Sequence, residues 1–175
     1  MAWTSPMTAV SGSVFTAAQF NLTVRDNLNE TAPAKVTAAG QILVGLTANS
    51  IVARTPTEAS VATSQSTTST TYADLATIGP VVTVTTGTQA ILLMRASLIN
   101  TAAANAFLAV TVTGASSIPA ADANSLALNT TVGARVGMPV WVSGLTPGSN
   151  TFTLQYKVTS GTGTFQDRHL GVIPL

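Results

Sequence analysis

The sequence predicts a mostly β chain: a C-terminal antiparallel β-sandwich of jelly-roll type, preceded by an N-terminal arm that carries one short α-helix. Three observations predict it. From residue 72 onward apolar residues alternate with polar ones, and turn residues recur about every 8–12 positions, the spacing of a sandwich. Helix start signals gather near the beginning, in "VFTAAQFNLTVRDNLNE". Between the two lies "TPTEASVATSQSTTSTT", residues 55–71, almost wholly small and polar, with the composition of a linker. The chain thus divides into an arm, 1–64, and a sandwich, 65–175.

The helix is expected over residues 17–29. Thr16 is placed to cap it, with its hydroxyl accepting from the amide three residues on. Gln19 can reach back to complete a capping box. Phe15 and Phe20 have the spacing of a hydrophobic staple across the cap. Phe20, Val24 and Leu28 follow at intervals of four on one face, and Asn21, Arg25, Asp26 and Asn29 take the other. Pro33 stops any continuation. A helix this short is marginal in water, so its apolar stripe needs a surface to cover it.

After the helix, "QILVGL" and "SIVART" read as a small hairpin, or as two extended pieces on a neighbour. The strand patterns then follow. "YADLATI" and "PVVTVTTG" are short. "QAILLMRASLIN" is nearly continuous in apolar residues, as in a strand covered on both faces. "NAFLAVTVTG" and "NTFTLQYKVTSG" alternate cleanly, the latter with Phe152, Leu154, Tyr156 and Val158 on one side. In "ARVGMPVWVSG" Pro139 marks an edge or a bulge, and Trp141 opposes the inward face. A weaker strand near "SLALNTT" and the closing "TFQDRHLGVIPL" bring the expectation to eight strands.

Composition narrows the function. Of 175 residues only 7% are charged, and net charge is +1. That leaves no electrostatic footprint for nucleic acid or an anionic membrane. Cys is absent, which removes disulfides, thiolate metal sites and cysteine nucleophiles. The opening "MAWTSPMTAV" has neither a basic n-region nor an apolar h-region, so no secretory signal is expected. The longest apolar run, "AILLM", falls far short of the roughly 20 residues that span a bilayer.

Chemistry is not marked either. The one histidine, His169, sits in "FQDRHLG" beside Asp167 and Arg168, and adjacency in sequence does not supply triad geometry. A surface polar cluster or an inter-subunit contact is expected there. Asp26 and Glu30 share a helix face one turn apart, the mark of a solvated surface. Gly161 and Gly163 lie between two strands, where a phosphate loop would need a following helix. No catalytic residue, metal ligand or cofactor is expected. Two non-enzymatic classes remain: an assembly protein and a binding module.

The stretch "AWTSPMTAVSGSVFTAAQFNLTVRDNLNE" resembles the start of structural proteins of tailed bacteriophages. The shared elements are Trp3-Thr4-Ser5-Pro6, Gly12, Thr16-Ala17-Ala18, Asn21 and Arg25-Asp26-Asn27-Leu28. The ending, "GLTPGSNTFTLQYKVTSGTGTFQDRHLGVIPL", is similar to the last strands of jelly-roll domains in phage fibre and decoration proteins. The resemblance implies a virion component assembled in the bacterial cytoplasm, often trimeric, attached by its arm to the major capsid protein or another virion protein. On that reading the partner-binding residues are Trp3, Phe15, Phe20, Val24, Arg25, Asp26 and Leu28. The alternative within the same class is a minor tail or receptor-binding protein that touches host-surface glycan or protein.

Overall fold

The computed structural model describes residues 3–175. Met1 and Ala2, with which the expected arm and the quoted opening motif begin, lie outside the described residues. The chain forms two compact units, Met1–Thr55 and Pro56–Leu175.

The first unit holds one continuous helical segment, α1, residues 17–28. It runs as an α-turn over Ala17–Phe20, a wide π-turn over Asn21–Arg25 and a final turn over Asp26–Leu28. The expected capping box forms: Thr16 Oγ1 accepts from the Gln19 amide at 3.2 Å, and Gln19 Oε1 accepts from the Thr16 amide at 2.9 Å. The Phe15 and Phe20 rings meet edge to face, 6.1 Å apart. Sequence periodicity does not reveal the π-turn. The Thr23 hydroxyl donates to the Gln19 carbonyl at 2.7 Å, a bond to the residue four back that competes with the helical ladder. A short helix α2, Ala32–Lys35, follows with Pro33 in its first turn. Strands β1, Ile42–Thr47, and β2, Ser50–Arg54, form an antiparallel hairpin whose turn places Asn49 at φ 60°.

The second unit is a β-sandwich. Its strands are β3 Thr57–Val61, β4 Gln65–Thr67, β5 Val81–Thr86, β6 Gln89–Asn100, β7 Asn105–Gly114, β8 Leu126–Asn129, β9 Ala134–Ser143, β10 Gly148–Val158 and β11 Gly163–Pro174. One sheet has the order β5-β10-β7-β8, the other β3-β11-β6-β9, with β4 also on β11. All pairs are antiparallel. Counting β3 and β4 as one interrupted strand, the sheets read 2-7-4-5 and 1-8-3-6. This is the path of a jelly roll.

The first strand lies where a linker was expected, within residues 55–71. Ser and Thr there read as linker by composition, yet Thr sits well on a pleated sheet, and β11 supplies a partner edge. Conversely, the expected strand in "YADLATI" contributes only a bridge between Ala73 and Tyr156. Pro139 lies on β9, an edge strand.

Phe152, Leu154, Tyr156 and Val158 of β10 face Leu92, Met94 and Leu98 of β6 and Phe165, Leu170 and Val172 of β11 in one core. Each such burial contributes roughly 1.5–3 kcal/mol. Gly161, in the β10–β11 turn, has φ +73°, and a Cβ there would stand 2.6 Å from Asn100 Oδ1.

Arg168 departs from the surface cluster expected for it. Strand β11 carries a bulge between Gln166 and His169, with Asp167 at φ 49°. The extra residue shifts the alternation, so Phe165 and Arg168 both point inward. Arg168 is fully buried, 0% exposed. Its Nη1 donates to the carbonyls of Gly79 (3.2 Å) and Thr77 (3.3 Å), its Nη2 to Gln65 Oε1 (3.0 Å), and its guanidinium lies over the Tyr156 ring at 5.4 Å. The Tyr156 hydroxyl donates to the same Gly79 carbonyl at 2.9 Å, and burial pushes its ionisation well above the usual phenol range.

Removing the guanidinium takes the donor from the Thr77 carbonyl and one of two donors each from the Gly79 carbonyl and Gln65 Oε1, which keep the Tyr156 hydroxyl and the Thr77 amide, and it empties the space the cation fills in the core. Arg168→Leu is expected to lower the unfolding free energy by about 3 kcal/mol. Arg135→Leu, which breaks only the surface pair of Arg135 with Asp167, should cost under about 1 kcal/mol. Urea unfolding of the two variants compares them, and equal losses would refute a special role for the buried cation.

Candidate functional site

The residues singled out for partner binding lie in the first unit. Phe15, Phe20, Leu28 and Trp3 are all exposed, Phe20 at 48% and Leu28 at 60%. Val24 is half-buried, so the stripe expected from the four-residue spacing is not uniform. The sequence placed Leu22 off the stripe, and it too is exposed, with Val10 and Val14 on the segment before the helix. Arg25 and Asp26 pair with each other: Arg25 Nε donates to Asp26 Oδ1 at 2.8 Å. Of the exposed apolar side chains Phe15 and Phe20 touch each other.

What fastens the opening stretch to the helix is Asn27, to which the sequence pattern assigns no role of its own. Asn27 is buried. Its Oδ1 accepts from the Thr4 amide at 2.9 Å, and its Nδ2 donates to the Thr4 carbonyl at 3.1 Å and to the Thr23 carbonyl at 3.0 Å. The side-chain amide thus pairs with one residue of extended backbone as a neighbouring peptide would. The Thr4 hydroxyl donates to the Leu22 carbonyl at 3.2 Å, and the Trp3 amide to the Asn49 carbonyl at 2.6 Å. The Trp-Thr stretch is therefore fastened to both the helix and the hairpin turn. The available signal was an Asn in a helix interior, where its propensity is poor.

Glu30 is buried and meets Lys35 Nζ at 2.9 Å. The Lys35 ammonium holds the Glu30 carboxyl below its ordinary range.

The second unit offers other polar groups. The Tyr72 hydroxyl and Lys157 Nζ both donate to Asp122, at 2.9 Å each to its two oxygens, and Lys157 lies over the Tyr72 and Phe107 rings. His169 Nε2 lies 3.0 Å from Glu58 Oε2. The structure thus divides Asp167, Arg168 and His169 among three environments. Among the described residues no group of three or more His, Cys, Asp or Glu side chains is placed to hold a metal ion. No helix of the described residues is long and apolar enough to cross a membrane.

No family model matches the chain, and no curated protein matches it. Among solved structures it is similar to one described as the structure of infectious bursal disease virus, Gx strain, with 9% sequence identity and a TM-score of 0.42. The match covers 74% of this chain and 36% of that one, so the chain spans about a third of the length of the protein it resembles.

Two outcomes follow from the arm's geometry. Asn27→Ala is expected to speed hydrogen exchange at the Thr4 amide about tenfold, the equivalent of about 1.4 kcal/mol of lost local protection. Because Lys35 depresses the Glu30 pKa, this pair stabilises the arm above the ordinary glutamate value of about 4.3 and stops doing so as pH falls through the lower, folded value. An NMR titration that follows the Glu30 side-chain carbons should find them shifting only in that acid range. Glu30→Gln should abolish that transition.

Proposed function

We propose that this chain is a non-enzymatic structural protein of a virus particle, of tailed-phage type, that docks on the capsid exterior through its N-terminal arm and carries the jelly roll as its outward domain. One observation carries the reading: the arm is a fastened unit whose Phe15, Phe20, Leu22 and Leu28 remain open. A capped helix and a pinned Trp-Thr stretch hold the backbone that carries those side chains before any partner arrives. Preorganisation of this kind reduces the ordering cost of docking. The phage-type opening motif agrees with the same residues, since Trp3-Thr4 and Asn27 are the groups that fasten the arm.

Energetically the apolar side chains dominate. Each one fully covered contributes roughly 1.5–3 kcal/mol. Arg25 and Asp26 already satisfy each other, so they orient the contact more than they strengthen it. Several copies on one assembly would gain avidity without new contacts.

Purified particles mixed with the recombinant full-length chain test the proposal. Phe20→Asp combined with Leu28→Asp removes two covered side chains and should weaken particle binding by more than about 100-fold. Arg25→Ala should change it by less than about tenfold. Binding at wild-type strength by the double variant would overturn the arm's role. Copy number on a stained gel of virions separates decoration of the head, with hundreds of copies, from the minor tail reading, with a few.

A further inference from the structure

The two outer faces of the sandwich differ in chemistry. On the β5-β10-β7-β8 sheet the outward residues form threonine rows, Thr83, Thr151 and Thr113 beside one another, with Thr83 and Thr151 hydroxyls 2.8 Å apart. This is how a solvated antiparallel face reads. On the β3-β11-β6-β9 sheet the corresponding rows are Ile173, Ile91 and Trp141, then Gly171, Leu93 and Pro139. Leu93 is 46% exposed and Trp141 57%.

The relief of this apolar face is specific. Leu93 borders two hollows. One, of about 290 Å³, lies beside Gly171 and is edged by Ile173 and Glu58. The other, of about 310 Å³, lies beside Gly137 and is edged by Arg95 and Met138. Gly171 does not have positive φ, and the atoms nearest to a Cβ built on it belong to Leu93, at ordinary contact distance. The fold therefore does not require glycine there; its missing side chain keeps the hollow open.

Charges flank the hollows with opposite sign. Arg95 is exposed and has no ion-pair partner among the described residues, while the Glu58 carboxylate, its side chain 75% exposed, meets His169, the residue beside Arg95, through one oxygen at 3.0 Å. A surface that carries a knob, a hole, a cation and a carboxylate together is complementary to itself when turned over. We propose that the outer face of the β3-β11-β6-β9 sheet is an interface between two copies of this chain, Leu93 of each seating in the Gly171 hollow of the other. Turning the second copy over about an axis along the strands brings Arg95 of one over His169 of the other, whose neighbour and contact is Glu58. The low charge of the chain spares the pair long-range repulsion. This surface lies on the sandwich and is separate from the arm reading, and its test needs no particles.

Sedimentation equilibrium of the purified full-length chain reads the association. The wild type is expected to form a dimer, and Leu93→Asp to be monomeric with unchanged circular dichroism. Gly171→Val adds apolar surface while filling the hollow, so it should weaken association at least about tenfold; general stickiness predicts the opposite. Arg95→Glu and Glu58→Arg should each weaken the dimer, and the two together should restore it. A wild-type monomer at about 100 µM, undiminished association of Gly171→Val, or failure of the double reversal to restore the dimer would overturn the proposal. Loss of particle binding by Leu93→Asp from a monomeric wild type would assign the face to a different partner and overturn it equally.

Discussion

The guanidinium of Arg168 is the interaction on which the sandwich most depends. It sits on the central strand of one sheet and reaches the segment that leads into the other, through the carbonyls of Thr77 and Gly79. It also reaches Gln65 on β4. A planar fork with five donors is suited to joining separate stretches of backbone, where a single ammonium could not. The cation is stripped of water in doing so, and the neutral carbonyls and the Tyr156 ring replace its hydration. The bulge at Asp167 makes this possible, because without the extra residue Arg168 would face solvent.

The same economy of polar groups recurs elsewhere. Asn150 is buried, and its amide accepts from the Ser116 amide at 2.7 Å and donates to Thr86 Oγ1 at 2.7 Å and the Thr146 carbonyl at 3.0 Å. Asn27 does the equivalent work in the arm. In a chain so poor in charge, neutral amides and one arginine take over the task of fixing loops that ion pairs perform in other proteins.

Much of this architecture was legible in the residues. The alternation along β7, β9 and β10 places the core, because a half-buried strand repeats with period two. The capping box and staple around Thr16 were readable because they are local. What stayed hidden depends on partners distant in sequence. β3 and β4 are strands because β11 lies beside them, and nothing in short stretches of mostly small and polar residues announces it. The bulge at Asp167 reverses side-chain parity for the rest of β11, which a period-two reading cannot anticipate. In the candidate site the apolar residues were visible and their fastening was not, since Asn27 acts on Thr4, 23 positions away.

The order of strands also governs how the domain comes into being. β11, synthesised last of them, occupies an interior place, flanked by β3 and β6. A growing polypeptide emerging from the ribosome therefore holds β3 for over a hundred residues with no neighbour to zip against, and its sheet cannot close until translation of the domain is complete. The mostly small and polar residues of β3 and β4, with Val61 their one large aliphatic side chain, make that wait safer, since a waiting strand of such composition is a poor seed for clumping between nascent chains.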